Sequence, residues 1–97
     1  MKTARIRELL DIVDATIPED SFIEFRFDSD GAACQIRDRD FFRLFASKQV
    51  TRRLTFNGVA FYEYYSVADL MFHCCRDEEE GRGIENITLP AIEGGGS

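Results

Sequence analysis

The stretch Arg52-Arg53-Leu54-Thr55-Phe56-Asn57-Gly58-Val59-Ala60-Phe61-Tyr62-Glu63-Tyr64-Tyr65 decides the fold. Two runs rich in aromatic and apolar residues flank Asn57-Gly58, and a two-residue type I′ turn needs positive φ at both central positions, which Asn and Gly tolerate. A β-hairpin over 52–65 follows. Its two-residue loop pairs Phe56 with Val59, Leu54 with Phe61, Arg53 with Tyr62 and Arg52 with Glu63. Strand residues alternate between faces, so Leu54, Phe56, Val59 and Phe61 belong to the core, and Arg53, Thr55, Ala60, Tyr62 and Tyr64 to an outer face. Arg52 and Glu63 also fall on the core side by parity, so they must pair at its margin or a bulge must shift them.

Upstream, Phe22–Asp28 has period two, with Ile23, Phe25 and Phe27 on one face and Glu24, Arg26 and Asp28 on the other. Asp30-Gly31 supplies a second two-residue turn, and a strand from Ala32 to about Arg37 completes a hairpin over about 22–37. That register sets Phe27 against Cys34, Phe25 against Ile36 and Glu24 against Arg37. Ile6, Leu9, Leu10 and Val13 recur at helical spacing, which predicts a helix over about Thr3–Ala15, with Thr3 as N-cap and Pro18 as the stop. Between the hairpins, Phe41, Leu44 and Phe45 fit a short Asp-capped helix, with a strand over 40–47 as the alternative.

Downstream, Ser66-Val67-Ala68-Asp69 reads as an N-cap with an acid at N3, and Val67, Leu70, Met71 and Cys74 follow at helical spacing. A helix over about 67–76 is expected, packed with the other two on one face of the sheet. A weak strand over Ile84–Leu89 ends at Pro90, and residues 93–97 have the composition of a flexible linker. The expected architecture is α+β: one domain over residues 1–92 with a small antiparallel sheet built from two β-hairpins, a candidate C-terminal strand and three helices.

The chain's 97 residues are enough for one core but short for two, and 44% hydrophobic against 31% charged residues can fill that core. No apolar run reaches the roughly 20 residues of a membrane span, and the N-terminal segment is charged, so no membrane role and a cytoplasmic location are expected. Three cysteines, Cys34, Cys74 and Cys75, make an unpromising disulfide framework. The net charge of −6 divides unevenly, at −4 over residues 1–36, +4 over 37–53 and −6 over 54–97. Such an arrangement neutralises itself most simply within the folded domain.

No pattern commits the chain to a reaction, and neither catalytic residues nor a cofactor site is expected. His73, Cys74 and Cys75 carry metal-ligating atoms, but contiguous ligands diverge where zinc sites need spaced ones, and the same divergence spoils a Cys–His nucleophile pair. Gly81 and Gly83 follow an acidic run that would repel phosphate, and the glycosylation pattern Asn86-Ile87-Thr88 lacks a secretory context.

Two surfaces remain as candidate partner-binding sites. Arg53, Tyr62 and Tyr64 on the outer hairpin face combine a cation with aromatic rings, and Asp77, Glu78, Glu79 and Glu80 could steer a basic partner. The expected function is a small acidic protein-binding module, an inhibitor or adaptor that occludes a partner protein with a basic surface. In size and charge it resembles bacterial immunity proteins and phage anti-defence inhibitors, which implies a nucleic-acid-processing or defence protein as target. The second reading is a nucleic-acid-binding domain using Arg37, Arg39, Arg43, Lys48, Arg52 and Arg53 with the tyrosines, against which the overall acidity stands.

Overall fold

The computed structural model describes residues 2–28, 31–55, 57–66, 69–78 and 83–92. The expectations placed on Asp30, Phe56, Val67, Ala68, Glu79, Glu80 and residues 93–97 fall outside them. The fold is α+β, with two α-helices and six strands among the described residues. In chain order these are α1 (Lys2–Thr16), β1 (Phe22–Asp28), β2 (Gly31–Ile36), α2 (Asp38–Leu44), β3 (Gln49–Leu54), β4 (Val59–Tyr65), β5 (Leu70–Asp77) and β6 (Gly83–Thr88). The strands form a single sheet in the order β1-β2-β5-β4-β3-β6. It is mixed rather than antiparallel, because β2 and β5 run parallel at its centre.

The largest correction concerns residues 70–77, expected as helix and found as strand β5. Leu70, Met71 and Cys74 satisfy helical spacing, but that spacing strands Phe72 on the polar side. As a strand, the segment buries Leu70, Phe72 and Cys74 together at 0%, 1% and 0% exposure. A short apolar run fits either period, and the ring of Phe72 decides for the extended one. Ser66, expected to cap a helix, instead donates both its backbone N–H and its hydroxyl to the Leu70 carbonyl, at 2.8 Å each.

The hairpin at Asn57-Gly58 forms, but with a longer loop. Thr55 N–H donates to the Val59 carbonyl at 3.1 Å, which leaves residues 56–58 as the connection. Gly58 has φ 77°, whereas Asn57 is not among the positive-φ residues, so the type I′ geometry is not taken. A glycine in the left-handed region closing a three-residue loop is the alternative hairpin solution. The register moves by one residue, and Arg53 faces Phe61, Arg52 faces Tyr62 and Leu54 faces Ala60. A one-residue slip changes which residues share a face. Ala60 and Tyr62 are therefore buried at 0% and 4% exposure, while Val59 and Phe61 lie on the opposite, half-exposed side.

In the first hairpin Phe25 pairs with Cys34 and Phe27 with Ala32, two residues from the expected register, so the faces of Phe25 and Phe27 are unchanged. A bulge between Phe22 and Glu24 turns Ile23 away, and it is 50% exposed instead of buried. Helix α1 starts at Lys2, so Thr3 lies inside it; Leu9 and Val13 are buried, Leu10 is 40% exposed, and Ile17 completes the apolar stripe. The 40–47 segment resolves as helix α2, whose N-cap position is Arg37 without a side-chain bond. Asp38 and Asp40 sit in its first turn, where they complement the helix dipole rather than cap it.

Every buried apolar strand residue on β2, β4 and β5 lies on one side of the sheet, in a single cluster with Leu9 and Val13 of α1, Ile17 just after it and Phe41 of α2. Phe45, just after α2, stacks on Tyr64 at 4.5 Å and tilts against Phe72 at 5.5 Å, while Phe42 meets Tyr62 edge-on at 4.9 Å. Helices thus cover one face of the sheet, giving a two-layer body whose shortest dimension is 21 Å. Replacing Phe72 with Ala should cost about 3–5 kcal/mol in urea unfolding. Met71→Ala, on the other face of the same strand, should cost far less; equal losses would contradict the strand assignment.

Candidate functional site

The sheet face away from the helices carries the residues that remain to explain. Because strand pairing fixes which side chains are neighbours, the register writes this face as rows crossing the sheet. The middle row runs Asn86, Thr51, Glu63, His73, Gln35, Glu24, one residue from each strand and every one polar. On one side of it lie Ile84, Arg53, Phe61 and Cys75. On the other lie Tyr65, Met71, Ala33 and Arg26. A concavity of about 440 Å³ opens over the centre, walled by Phe61, Glu63, Tyr65, Met71 and His73 with Arg26, Asp28 and Arg53 at its rim.

Glu63 is the unusual member, since its side chain is only 10% exposed although it sits on the helix-free face. Its Oε1 accepts long hydrogen bonds from Arg53 Nη2 and Tyr65 Oη, both at 3.4 Å. His73 stands opposite it on β5. Burial lowers the His73 pKa below its ordinary 6.5; Arg26 adds to this while Glu63 and Glu24 oppose it, so the ring is neutral at neutral pH. Burial also raises the Tyr65 hydroxyl, reinforced by Glu63, so that Tyr65 remains a donor.

The residues singled out from the sequence are divided by the fold. Arg53 lies on the open face and is exposed, but Tyr62 and Tyr64 point to the helix side, which overturns their grouping as one outer surface. Asp77 is exposed at the end of β5, opposite Val59. Glu78 turns inward: it accepts hydrogen bonds from Tyr62 Oη and from Arg52, whose Nη1 also donates to Glu85 at 2.8 Å. Glu79 and Glu80 lie outside the described residues. Desolvation pushes Glu78 up, yet the hydrogen bonds from Tyr62 and Arg52 and the charges of Arg52 and Arg76 outweigh it and hold the carboxyl below its ordinary 4.5. Glu78 therefore ties the end of β5 to β3 and β4, and its backbone N–H donates to the Gly58 carbonyl at 2.9 Å.

Of the basic residues of 37–53, Arg39 and Lys48 are exposed, and the others are engaged in the same way as Arg52. Arg37 donates to the Asp20 carbonyl at 2.9 Å, Arg43 to Asp40 at 2.8 Å and Arg53 to Glu63 at 3.4 Å. On β5, His73 and Cys75 face the open side and Cys74 the helix side, because adjacent strand residues diverge. Among the described residues no three His, Cys, Asp or Glu side chains converge as metal ligands, and no helix is long and apolar enough to cross a membrane. All three cysteines are free. Burial pushes the Cys34 and Cys74 thiols up to about 11 and about 12, whereas Cys75 is exposed.

Sequence reasoning missed Phe61, Glu63, Tyr65, Met71 and His73 as a surface. The signal was the misplaced pair Arg52 and Glu63, because a three-residue loop sends Arg52 to the helix side with Tyr62 and Glu63 to the open face. The chain matches no protein-family model, no curated protein and no solved structure. Its site is read from its own geometry.

The depressed Glu78 pKa makes its contribution to stability complete above pH 4.5 and lost as pH falls through the lower folded-state value. Urea unfolding should therefore show wild type weakening below pH 4.5, and Glu78→Gln should flatten that part of the profile. A parallel slope in the two proteins would place the effect elsewhere. In native-state labelling with a thiol reagent, Cys75 should react and Cys34 and Cys74 should wait for unfolding.

Proposed function

We propose that this chain is a protein-binding module, an inhibitor or adaptor that covers a partner protein through the helix-free face of its sheet. One observation carries the reading: the two faces of the sheet are treated differently by the sequence. The helix side is sealed by α1 and α2, whereas the other presents Phe61, Met71 and a 64% exposed Tyr65 inside a border of charged side chains. An apolar and aromatic centre with a charged rim is the anatomy of a protein interface. Six strands about 4.8 Å apart, each about 20 Å long, give a plane on the order of 500 Å² before side-chain relief. With that relief it approaches the roughly 800 Å² per partner of a standard interface.

Charge argues for protein over nucleic acid. Among the described residues Arg26 and Arg53 are the face's cations, against Glu24, Asp28, Glu63 and Asp77, so a phosphate backbone meets net repulsion there. The net charge of −6 directs the search to targets with a basic cleft, of the kind that immunity proteins and anti-defence inhibitors occlude. Free thiols suit a reducing compartment, which makes the cytoplasm the expected location.

The test is nuclease-treated affinity capture from the native cell, comparing wild type with a Tyr65→Ser/Met71→Gln double variant. A protein partner recovered in stoichiometric amount by wild type and lost with the double variant supports the reading. Recovery that depends on nucleic acid, or a partner retained equally by both proteins, overturns it.

A further inference from the structure

The polar centre of the open face has a property that a solvated sheet surface does not require. Glu63 is nine-tenths buried, and both hydrogen bonds to it converge on Oε1 at 3.4 Å, long for a carboxylate. Its Oε2 accepts none from the described residues. No enclosed side-chain oxygen or nitrogen among those residues lacks a partner, so Oε2 must retain an open side, and the concavity that Glu63 lines is that side. A donor that enters the concavity meets a carboxylate already desolvated on most sides, where a charge-assisted hydrogen bond is stronger than at a fully solvated surface. Around it stand Phe61 and Tyr65, whose ring faces attract cations, and Met71, which adapts to an alkyl stem.

We infer that this concavity receives an arginine side chain of the partner protein, whose guanidinium donates to Glu63 Oε2 while its stem lies against Phe61 and Met71. The inference rests on the protein-binding reading above and names the anchor of that interface. Arginine fits because its planar fork bonds a carboxylate directionally and its weak hydration lowers the cost of entering a half-buried site. The rim contains Arg26 and Arg53 but also Asp28 and Asp69, the last also 3.9 Å from Arg5, so Glu63 is the carboxylate at the pocket's centre that an incoming cation would meet. Arg53 is 48% exposed and holds Glu63 only at 3.4 Å, so it can swing outward and yield its place to a better-aligned guanidinium. A target with a basic cleft supplies such a residue.

The experiment uses Nα-acetyl-arginine methylamide as probe, titrated into the full chain and followed by amide NMR. Saturable shifts are expected at Phe61, Glu63, Tyr65, Met71 and His73, and the uncharged Nα-acetyl-norleucine methylamide should produce none. Glu63→Gln should weaken the probe by about fivefold or more, as loss of a charge-assisted bond requires. Arg53→Gln, which removes the competing cation from an exposed position, should bind the probe more tightly than wild type, and it tests the idea even if Glu63→Gln does not fold. Absence of saturable shifts, equal response to norleucine, or unchanged affinity in Arg53→Gln overturns the inference. A captured protein partner lost with Tyr65→Ser/Met71→Gln but retained in full by Glu63→Gln overturns the inference alone. Probe binding without any captured protein leaves the pocket standing and overturns the wider reading.

Discussion

The structure depends on β5 being hydrogen-bonded along both edges. It runs parallel to β2 on one side and antiparallel to β4 on the other, and without it the sheet separates into the β1-β2 hairpin and the β6-β3-β4 unit. Central strands are shielded by neighbours on both edges, which explains why residues 70–75 read as a nearly unbroken apolar run rather than as a clean alternation. Phe72 then serves two layers at once, fixing β5 in the sheet and receiving Phe45 at the end of α2. The acidic residue that follows, Glu78, fastens the strand's far end to Arg52 and Tyr62.

How much of this was legible follows from which physical rule acts locally. The second turn announced its hairpin because Gly58 takes the left-handed geometry itself, whereas Gly31, expected within the first turn, opens β2 and pairs with Asp28. Register was less legible, since Asn57-Gly58 is compatible with a two-residue loop and with a three-residue loop that uses Gly58 alone in the left-handed region. The first hairpin's two-residue offset kept Phe25 and Phe27 on the expected side, whereas the single-residue offset at the second exchanged the roles of Tyr62 and Phe61. The parallel pairing of β2 with β5 had no local signal, because it joins segments separated by two further strands and a helix. Short apolar segments such as 70–77 take their period from the neighbours they meet, and those neighbours are distant in sequence.

The candidate site is a product of the same nonlocal arrangement. Glu63, His73 and Gln35 belong to three separate strands and become one row only through the pairing of β4, β5 and β2. Part of the charge that stood out in the sequence is spent within the fold, with Arg52, Arg37 and Arg43 each donating to an acidic side chain or a carbonyl. Identity of charge was visible early; direction was not, and direction separates a structural clasp such as Glu78 from a carboxylate that opens outward such as Glu63.

The parallel pair at the centre also has a consequence for how the protein is made. Ala32 of β2 meets Leu70 of β5, so the inner edge of β2 waits for a strand that is synthesised 38 residues later. At roughly 5–20 residues per second, that delay lasts on the order of 2–8 s. During it the nascent chain displays an open edge whose side chains are Ala32, Cys34 and Ile36, the kind of edge that templates unwanted pairing. The order of synthesis, rather than the strength of the finished sheet, therefore decides how long residues 31–36 stay without their partner strand.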